Sequence, residues 1–170
     1  MLGVALLFVA IVLIMNGVNR FLNVDAKSTA VMNLITGTII VIGNFIMLAW
    51  AGASNDYQGF QNVASGFLFG FTYLFIAGNY LLKLDLRPFG WFSLCVAVYA
   101  GIMSVSTFAT SGADVRYGIL WAAWAVLWLE GFLELSLHIK KLGKVFPYLS
   151  ILEGIFAAGL PSVLMLMGKW

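Results

Sequence analysis

The sequence predicts an all-α polytopic membrane protein, a six-transmembrane-helix bundle, and two observations lead to this fold class. Hydrophobic residue types make up 62% of the 170 residues and charged types only 9%, whereas soluble domains run at about 45–50% apolar and about 25% charged. Six apolar runs are also separated by short polar breaks, and each run is long enough to cross a hydrocarbon core of ~30 Å. So few charged side chains cannot cover the surface of a water-soluble enzyme of this size. We therefore expect no enzyme activity, and a single membrane domain over residues 1–170.

Each apolar run is predicted to be a helix, because lipid-exposed strand edges are not tolerated and a barrel would need alternating strands of about ten residues. Ser28 or Thr29 is the expected N-cap of the second helix. Pro88 and Pro147 stand at the starts of the fourth and sixth helices, where a missing N–H costs no hydrogen bond. The first run lacks a basic leader and a cleavage site, so we expect it to be retained as a helix. The predicted spans are 2–19, 30–51, 63–82, 89–110, 117–138 and 147–168.

The distribution of basic residues predicts how the bundle lies in the membrane. The first, third and fifth loops hold seven lysines and arginines, and the opposite side holds only Arg116 and Lys169. Cytoplasmic loops carry the excess of positive charge, so the odd loops are predicted to be cytoplasmic and both termini to be outside. The seven residues are Arg20, Lys27, Lys83, Arg87, Lys140, Lys141 and Lys144.

Three helices carry stripes of aromatic or aliphatic side chains on one face. In the fifth helix, spacings of three and four put three indoles on one face over about 10 Å of the axis. An interface belt or ordinary interhelical packing would also place tryptophans in a membrane helix, and packing is the simplest interpretation of the other two stripes. The stripes comprise Trp121, Trp124 and Trp128; Leu2, Leu6, Val9 and Leu13, continued by Asn16; and Phe69 with Tyr73.

Glu153 is the acidic residue that packing explains least well, because it lies six residues into the sixth helix, where an ionisable group is costly and usually faces a cavity or a partner. Counted at ~1.5 Å per residue from the helix ends, it falls near the level of Leu13, Tyr73 and Trp128. A protonated, hydrogen-bonded glutamic acid between helices is the alternative. We expect it to be neutral and to orient an indole or Tyr73.

Two further acids, Glu130 and Glu134, point away from the indole face at 100° per residue. Glu130 is expected to be protonated or paired at an interhelical or intersubunit contact. Glu134 is expected to reach His138 or the lysines that follow, and His138 is interpreted as a residue of the helix C-terminus.

Other chemistry finds no support in the residue pattern. The single histidine and the single cysteine, Cys95, form no ligand cluster with metal spacing. No nucleophile–base pair, phosphate loop or cofactor fingerprint is recognisable, so no metal and no cofactor is predicted. The net charge of +2 is too small and dispersed to predict nucleic acid binding.

Four segments together resemble the AmiS/UreI family of bacterial urea and short-chain amide channels: LFGFTYL (68–74), RPFGWFSL (87–94), WAAWAVLWL (121–129) and ILEGI (151–155). STAVMN (28–33) also fits, and the match runs in order along essentially the whole chain. The resemblance implies six helices with both termini outside, a homohexamer in the bacterial inner membrane, and one pore in each protomer. It implies urea or a short-chain amide as solute, and a cytoplasmic urease or amidase as the partner system.

By the same resemblance, the pore would be lined by the three stripes. The lining residues would be Leu2, Leu6, Val9, Leu13, Asn16, Phe69, Tyr73, Trp121, Trp124, Leu127 and Trp128, with Glu153 behind the inner constriction.

Two departures from the family pattern matter. The pattern of the acid-gated members has histidines and acidic residues on longer outer loops. The second loop here, AGASNDYQGFQN, has no histidine and one aspartate. We therefore predict a pore that acid does not gate. The second departure is Glu130, which has no counterpart in that pattern. Acetamide as the physiological solute, and an ion-coupled transporter that uses the buried acids, are the alternative functions.

Overall fold

The computed structural model describes residues 2–170 and confirms an all-helical fold with six apolar helices of membrane-spanning length. All six predicted spans are present, and most helices extend a few residues beyond the apolar run into the polar flank. Their bounds are α1 Leu2–Phe21, α2 Ala26–Ser54, α3 Tyr57–Leu82, α4 Arg87–Ala109, α5 Val115–Leu135 and α6 Phe146–Leu166, with a short 3₁₀ turn at Leu142–Lys144.

Two helix ends differ from the prediction. The N-cap of α2 is Asp25, whose side chain accepts a hydrogen bond from the Ser28 backbone N–H, so the helix begins before Ser28 and Thr29. Helix α5 ends at Leu135, and His138 lies beyond it in the loop with a φ of 57°. The interpretation of His138 as a helix C-terminal residue is therefore wrong, because the chain leaves the helix three residues earlier than its apolar run indicates.

Helix α6 contains a feature that apolar periodicity does not reveal. Residues Gly154–Gly159 form a π-helical turn directly after Glu153. Two buried serines of α6 donate to backbone carbonyls of α1, Ser150 to Leu13 at 2.7 Å and Ser162 to Gly3 at 2.8 Å. These bonds fix α1 against α6 along most of its length.

The remaining helices form two hairpins, in which α2 packs along α3 and α4 packs along α5. The backbones of α3 and α4 approach each other at few points, and the two helices meet through side chains, such as Phe75 against Phe89 and Ser65 hydrogen-bonded to Tyr99. At Gly66 of α3, an added Cβ would overlap the side-chain amide of Asn44 in α2, so the absence of a side chain there lets α2 approach α3 closely.

Both chain ends lie at the same end of the bundle. The backbone of Gly3 approaches the side chain of Met165, and Trp170 packs against Tyr117 at the start of α5. The first, third and fifth loops, which carry the basic residues, lie at the other end.

Candidate functional site: two cavities and an aromatic constriction

Two cavities lie inside the bundle, one toward each end. The cavity toward the basic loops, here called the loop cavity, has a volume of about 400 Å³. The cavity toward the chain termini, here called the terminal cavity, has a volume of about 470 Å³. Phe69 and Trp124 line both cavities, so their side chains form the partition between the two spaces.

The residues of the predicted stripes divide between the two cavities. Those of the terminal cavity are Leu2, Leu6, Val9 and Trp121, and those of the loop cavity are Leu13, Asn16, Tyr73, Leu127 and Trp128. Together with Phe69 and Trp124, this brings eleven of the twelve predicted pore residues onto cavity walls. Glu153 is the exception, because it lines neither cavity.

The partition is a cluster of aromatic rings in edge-on contact. The ring of Phe69 lies 4.8 Å from that of Trp124 at an interplanar angle of 83°, and 4.8 Å from that of Trp128 at 69°. Trp121 meets Trp124 edge-on at 5.0 Å. Edge-to-face pairs at such distances are favourable by about 0.5–1.5 kcal/mol each, so the rings of the partition are held together by several individually weak contacts.

One set of polar groups in the loop cavity comes from a row of hydrogen-bonded side chains between α1 and α2. Asn16 and Asn33 exchange two hydrogen bonds, at 3.1 and 2.8 Å, and Asn33 also donates to the backbone oxygen of Thr29. About one helical turn further along α1, the Asn19 side chain donates to the Thr29 hydroxyl at 3.2 Å. Asn16, Asn19 and Thr29 line the cavity, so a neutral amide would meet both donors and acceptors there.

Among the described residues, the charged side chains that line the cavities are Arg20 and Glu134 in the loop cavity and Asp114 in the terminal cavity. In the loop cavity the Arg20 guanidinium pairs with the Glu134 carboxylate, and the Arg20 side chain also lies over the Phe146 ring, 5.0 Å from its centroid. The prediction that Glu134 reaches His138 or the lysines is therefore wrong, because its carboxylate forms an ion pair with Arg20 of α1. Asp114 lines the terminal cavity and pairs at 2.6 Å with Arg116, which does not line it.

The hydrogen bonds from Arg116 lower the pKa of Asp114. That carboxylate therefore stays ionised, and paired, across the neutral and mildly acidic range.

Two buried acids in the helices are left without a full set of partners. Glu130 is 5% exposed, and among the described residues neither of its carboxyl oxygens has a hydrogen-bond partner. Glu153 is 6% exposed, and one of its oxygens, Oε2, is likewise without a partner. No group of three or more metal-binding side chains is found in residues 2–170.

Sequence reasoning missed several residues of this site. Thr72 lines the loop cavity and accepts a hydrogen bond from the Trp128 indole, and its place one residue before Tyr73 in LFGFTYL was the available signal. Asn19, Thr29 and the Arg20–Glu134 pair could not be found by helical periodicity, because they depend on which helices are neighbours.

Six apolar helices around two cavities that share an aromatic partition define a multi-pass membrane protein of the channel and transporter class. The chain matches the AmiS/UreI family transporter model over residues 1–169. It belongs to the AmiS/UreI family.

Relatives within the family differ in what their names describe. The chain is 39% identical to the acid-activated urea channel of Helicobacter pylori strain 26695, and the alignment covers 100% of both chains. It is 34% identical to a protein of Mycolicibacterium smegmatis named as a transporter of amidate substrates, over 99% of this chain and 78% of that one.

Solved structures of the Helicobacter pylori urea channel superpose closely on this fold. The crystal structure gives a TM-score of 0.91 at 39% identity and covers 100% of this chain and 99% of that one. A cryo-electron microscopy structure of the closed state gives a TM-score of 0.91 at 38% identity and covers 100% of each chain.

Proposed function

We propose that the protein is a passive channel for urea and other small, neutral, planar amides, with one pore inside each protomer. The observation that carries the proposal is the pair of cavities that share the partition of Phe69 and Trp124. A solute would enter one cavity, part the aromatic rings and leave through the other. The names of the relatives support the solute class.

The chemistry of the constriction favours a flat polar solute without charge. A planar amide slides between indole and phenyl rings, and its N–H groups meet π faces in contacts worth about 0.5–1 kcal/mol each. Weak contacts suit conduction, since a solute must enter and also leave. The side chains at the partition thus offer passage without a deep trap.

An ion meets a much larger barrier at the same place. Removing the water of an ion costs tens of kcal/mol in the idealised limit, and selective ion pores replace that water with rings of carbonyls or charges. The partition contributes aromatic side chains without charge, and the charged side chains that line the cavities, Arg20, Glu134 and Asp114, are held in ion pairs. We therefore infer that the pore excludes ions.

An ion-coupled transporter is the weaker candidate for the same reason. Glu130 and Glu153 lie on different helices and line neither cavity, so neither stands in the path of a coupled ion. Glu153 is inferred to act from behind the constriction as a neutral group.

A short-chain amide such as acetamide is the second candidate solute, and the amidate transporter of Mycolicibacterium smegmatis favours it. One methyl group is discriminated in an apolar pocket by only about 1–3 kcal/mol. Both solutes are therefore expected to pass, with the physiological one set by a cytoplasmic urease or amidase.

The setting of the channel follows from charge and from the family. The seven basic residues at the odd loops favour a cytoplasmic position for that end and an outer position for both termini. We infer a homohexamer in the bacterial inner membrane, surrounded by lipid. Exposed apolar side chains such as Phe45 and Ile102 would face neighbouring subunits or lipid.

Acid is not expected to gate this pore. The alignment with the acid-activated relative runs over 195 positions against the 170 residues of this chain, a difference of 25. The outer loops of this chain hold no histidine, which is the side chain whose ordinary pKa lies in the mildly acidic range.

Stopped-flow light scattering on proteoliposomes tests the proposal. Urea and acetamide should enter far faster than into protein-free liposomes, without a proton or sodium gradient. Sodium and chloride should not enter above the protein-free rate. Uptake that requires an ion gradient would indicate coupled transport, and uptake at the protein-free rate would refute the channel.

A further inference from the structure

The hydroxyl of Thr72 joins the backbone of α3 to an indole of α5. Trp128 Nε1 donates to Thr72 Oγ1 at 3.3 Å, and Thr72 Oγ1 donates in turn to the backbone oxygen of Leu68 at 2.8 Å. Thr72 is 6% exposed and Trp128 7%. The hydroxyl has one proton to donate and lone pairs to accept with, so both bonds can form at once.

The neighbouring indole of the constriction is in the opposite situation. Trp124 Nε1 is buried and donates to no group among the described residues, although Trp124 lines both cavities. A buried donor without a partner costs about 1–3 kcal/mol. Two tryptophans one helical turn apart, both against the ring of Phe69, therefore differ in whether their N–H is already engaged.

We propose that Thr72 is a positioning residue that engages the N–H of Trp128, and that the unengaged N–H of Trp124 is the indole donor for the oxygen of a passing amide. This inference rests on the proposed channel function and adds a division of roles within the constriction. Thr72 holds the Trp128 ring in place as a wall of the constriction. The Trp124 N–H replaces part of the hydrogen bonding to water that the solute loses on entering.

Replacing Thr72 separates the positioning role from bulk packing. Thr72→Val keeps the shape but removes the acceptor, and we expect urea permeability to fall about two- to tenfold, the range of one net hydrogen bond. Thr72→Ser restores the hydroxyl and should return permeability to within about twofold of wild type. Thr110→Val is the matched control, because its hydroxyl also donates four residues back, to the Ser106 oxygen at 2.8 Å, but receives no indole. Wild-type permeability in Thr72→Val would overturn the positioning role.

The donor role of Trp124 is tested by comparing urea with thiourea, whose sulfur is the weaker acceptor. Trp124→Phe removes the unengaged N–H, so the urea-to-thiourea permeability ratio should fall about two- to tenfold. Trp128→Phe removes an N–H that is already engaged, so the ratio should stay within about twofold even if both permeabilities change. Equal changes of the ratio in the two variants would contradict the division of roles.

A spectroscopic measurement tests the Thr72 contact without transport. In ultraviolet resonance Raman spectra, the indole band that reports N–H hydrogen bonding should show one of the six tryptophans losing its acceptor in Thr72→Val but not in Thr72→Ser or Thr110→Val. Proteoliposomes of wild type that take up no urea would refute the channel, while an unchanged Raman band in Thr72→Val would refute the contact. The two failures are thus distinguishable.

Discussion

The guanidinium of Arg20, at the end of α1, forms an ion pair with the carboxylate of Glu134, at the end of α5, across 114 residues of sequence. The Glu134 side chain is 13% exposed and that of Arg20 37%. Both line the loop cavity, so the pair ties together two of the helices that form its walls. The two charges cancel, so the pair adds no net charge to the wall that a solute would pass.

Breaking this pair should cost stability in a way that a double substitution recovers. Arg20→Gln leaves Glu134 without its partner, and we expect a loss of about 1 kcal/mol, since the half-exposed guanidinium is screened by solvent. Arg20→Gln with Glu134→Gln should be more stable than the sum of the two single changes predicts. Thermal unfolding in detergent measures this, with Arg87→Gln as control, because its pair with Asp85 is exposed and joins residues only two apart. Strict additivity would show that the pair contributes nothing.

Truncation at the constriction should change selectivity more than a substitution away from it. Trp128→Ala removes one of the rings packed on Phe69, so the permeability of a larger amide such as butyramide should rise several-fold relative to urea. Glu130→Gln lies outside both cavities and should leave this ratio unchanged, while it affects assembly or stability. Stopped-flow uptake measures both ratios. A wild-type ratio in Trp128→Ala would remove Trp128 from the path.

Urea flux should be nearly independent of pH between 7.5 and 5. Hydrogen bonds from Arg87 lower the pKa of Asp85 to about 2, and bonds from Arg116 and from Ser28 lower the pKa values of Asp114 and Asp25. A lowered pKa in the folded state gives stability that is present above the unfolded pKa near 3.8 and is lost as pH falls through the folded pKa. These pairs therefore persist at pH 5. A several-fold rise of flux at pH 5 over pH 7.5 would contradict the ungated pore.

The approach of α1 to α6 should tolerate no side chain at Gly17. An added Cβ there would lie 2.7 Å from the backbone oxygen of Pro147 and 2.6 Å from Cγ1 of Ile151, and a backbone atom cannot move aside cheaply. Gly17→Ala should destabilise the fold by about 1–3 kcal/mol. Gly52→Ala is the control, because nothing lies within 4 Å of its added Cβ. Equal melting temperatures of the two variants would mean that α1 and α6 are less tightly apposed.

The sequence predicted the six helices and eleven residues of the cavity walls for one physical reason. A membrane helix must be apolar over its full length, and its inward face follows from a period of 3.6 residues. The stripes through Leu6 and Trp124 could be identified in this way. Helix ends were less accurate, since Asp25 caps α2 from outside the apolar run and α5 ends before His138.

What could not be predicted depends on contacts between helices. The Arg20–Glu134 pair and the Thr72–Trp128 bond join residues far apart in sequence, and no local pattern encodes them. Depth along the helix axis placed Glu153 at the level of Leu13 and Tyr73, but Glu153 lines neither cavity. Depth along a helix axis was therefore a poorer guide to the site than angle around it.

Chemical blocking of the path is the most direct test of a pore inside each protomer. In a Cys95→Ser background, which has no other cysteine, Ala5→Cys places a thiol on the wall of the terminal cavity. The adjacent Val4→Cys places one on the outward face, where Val4 is 39% exposed. After labelling with a methanethiosulfonate reagent, confirmed by mass spectrometry, urea flux should fall by most of its value in Ala5→Cys and stay unchanged in Val4→Cys. Full flux through labelled Ala5→Cys would contradict a path through the terminal cavity.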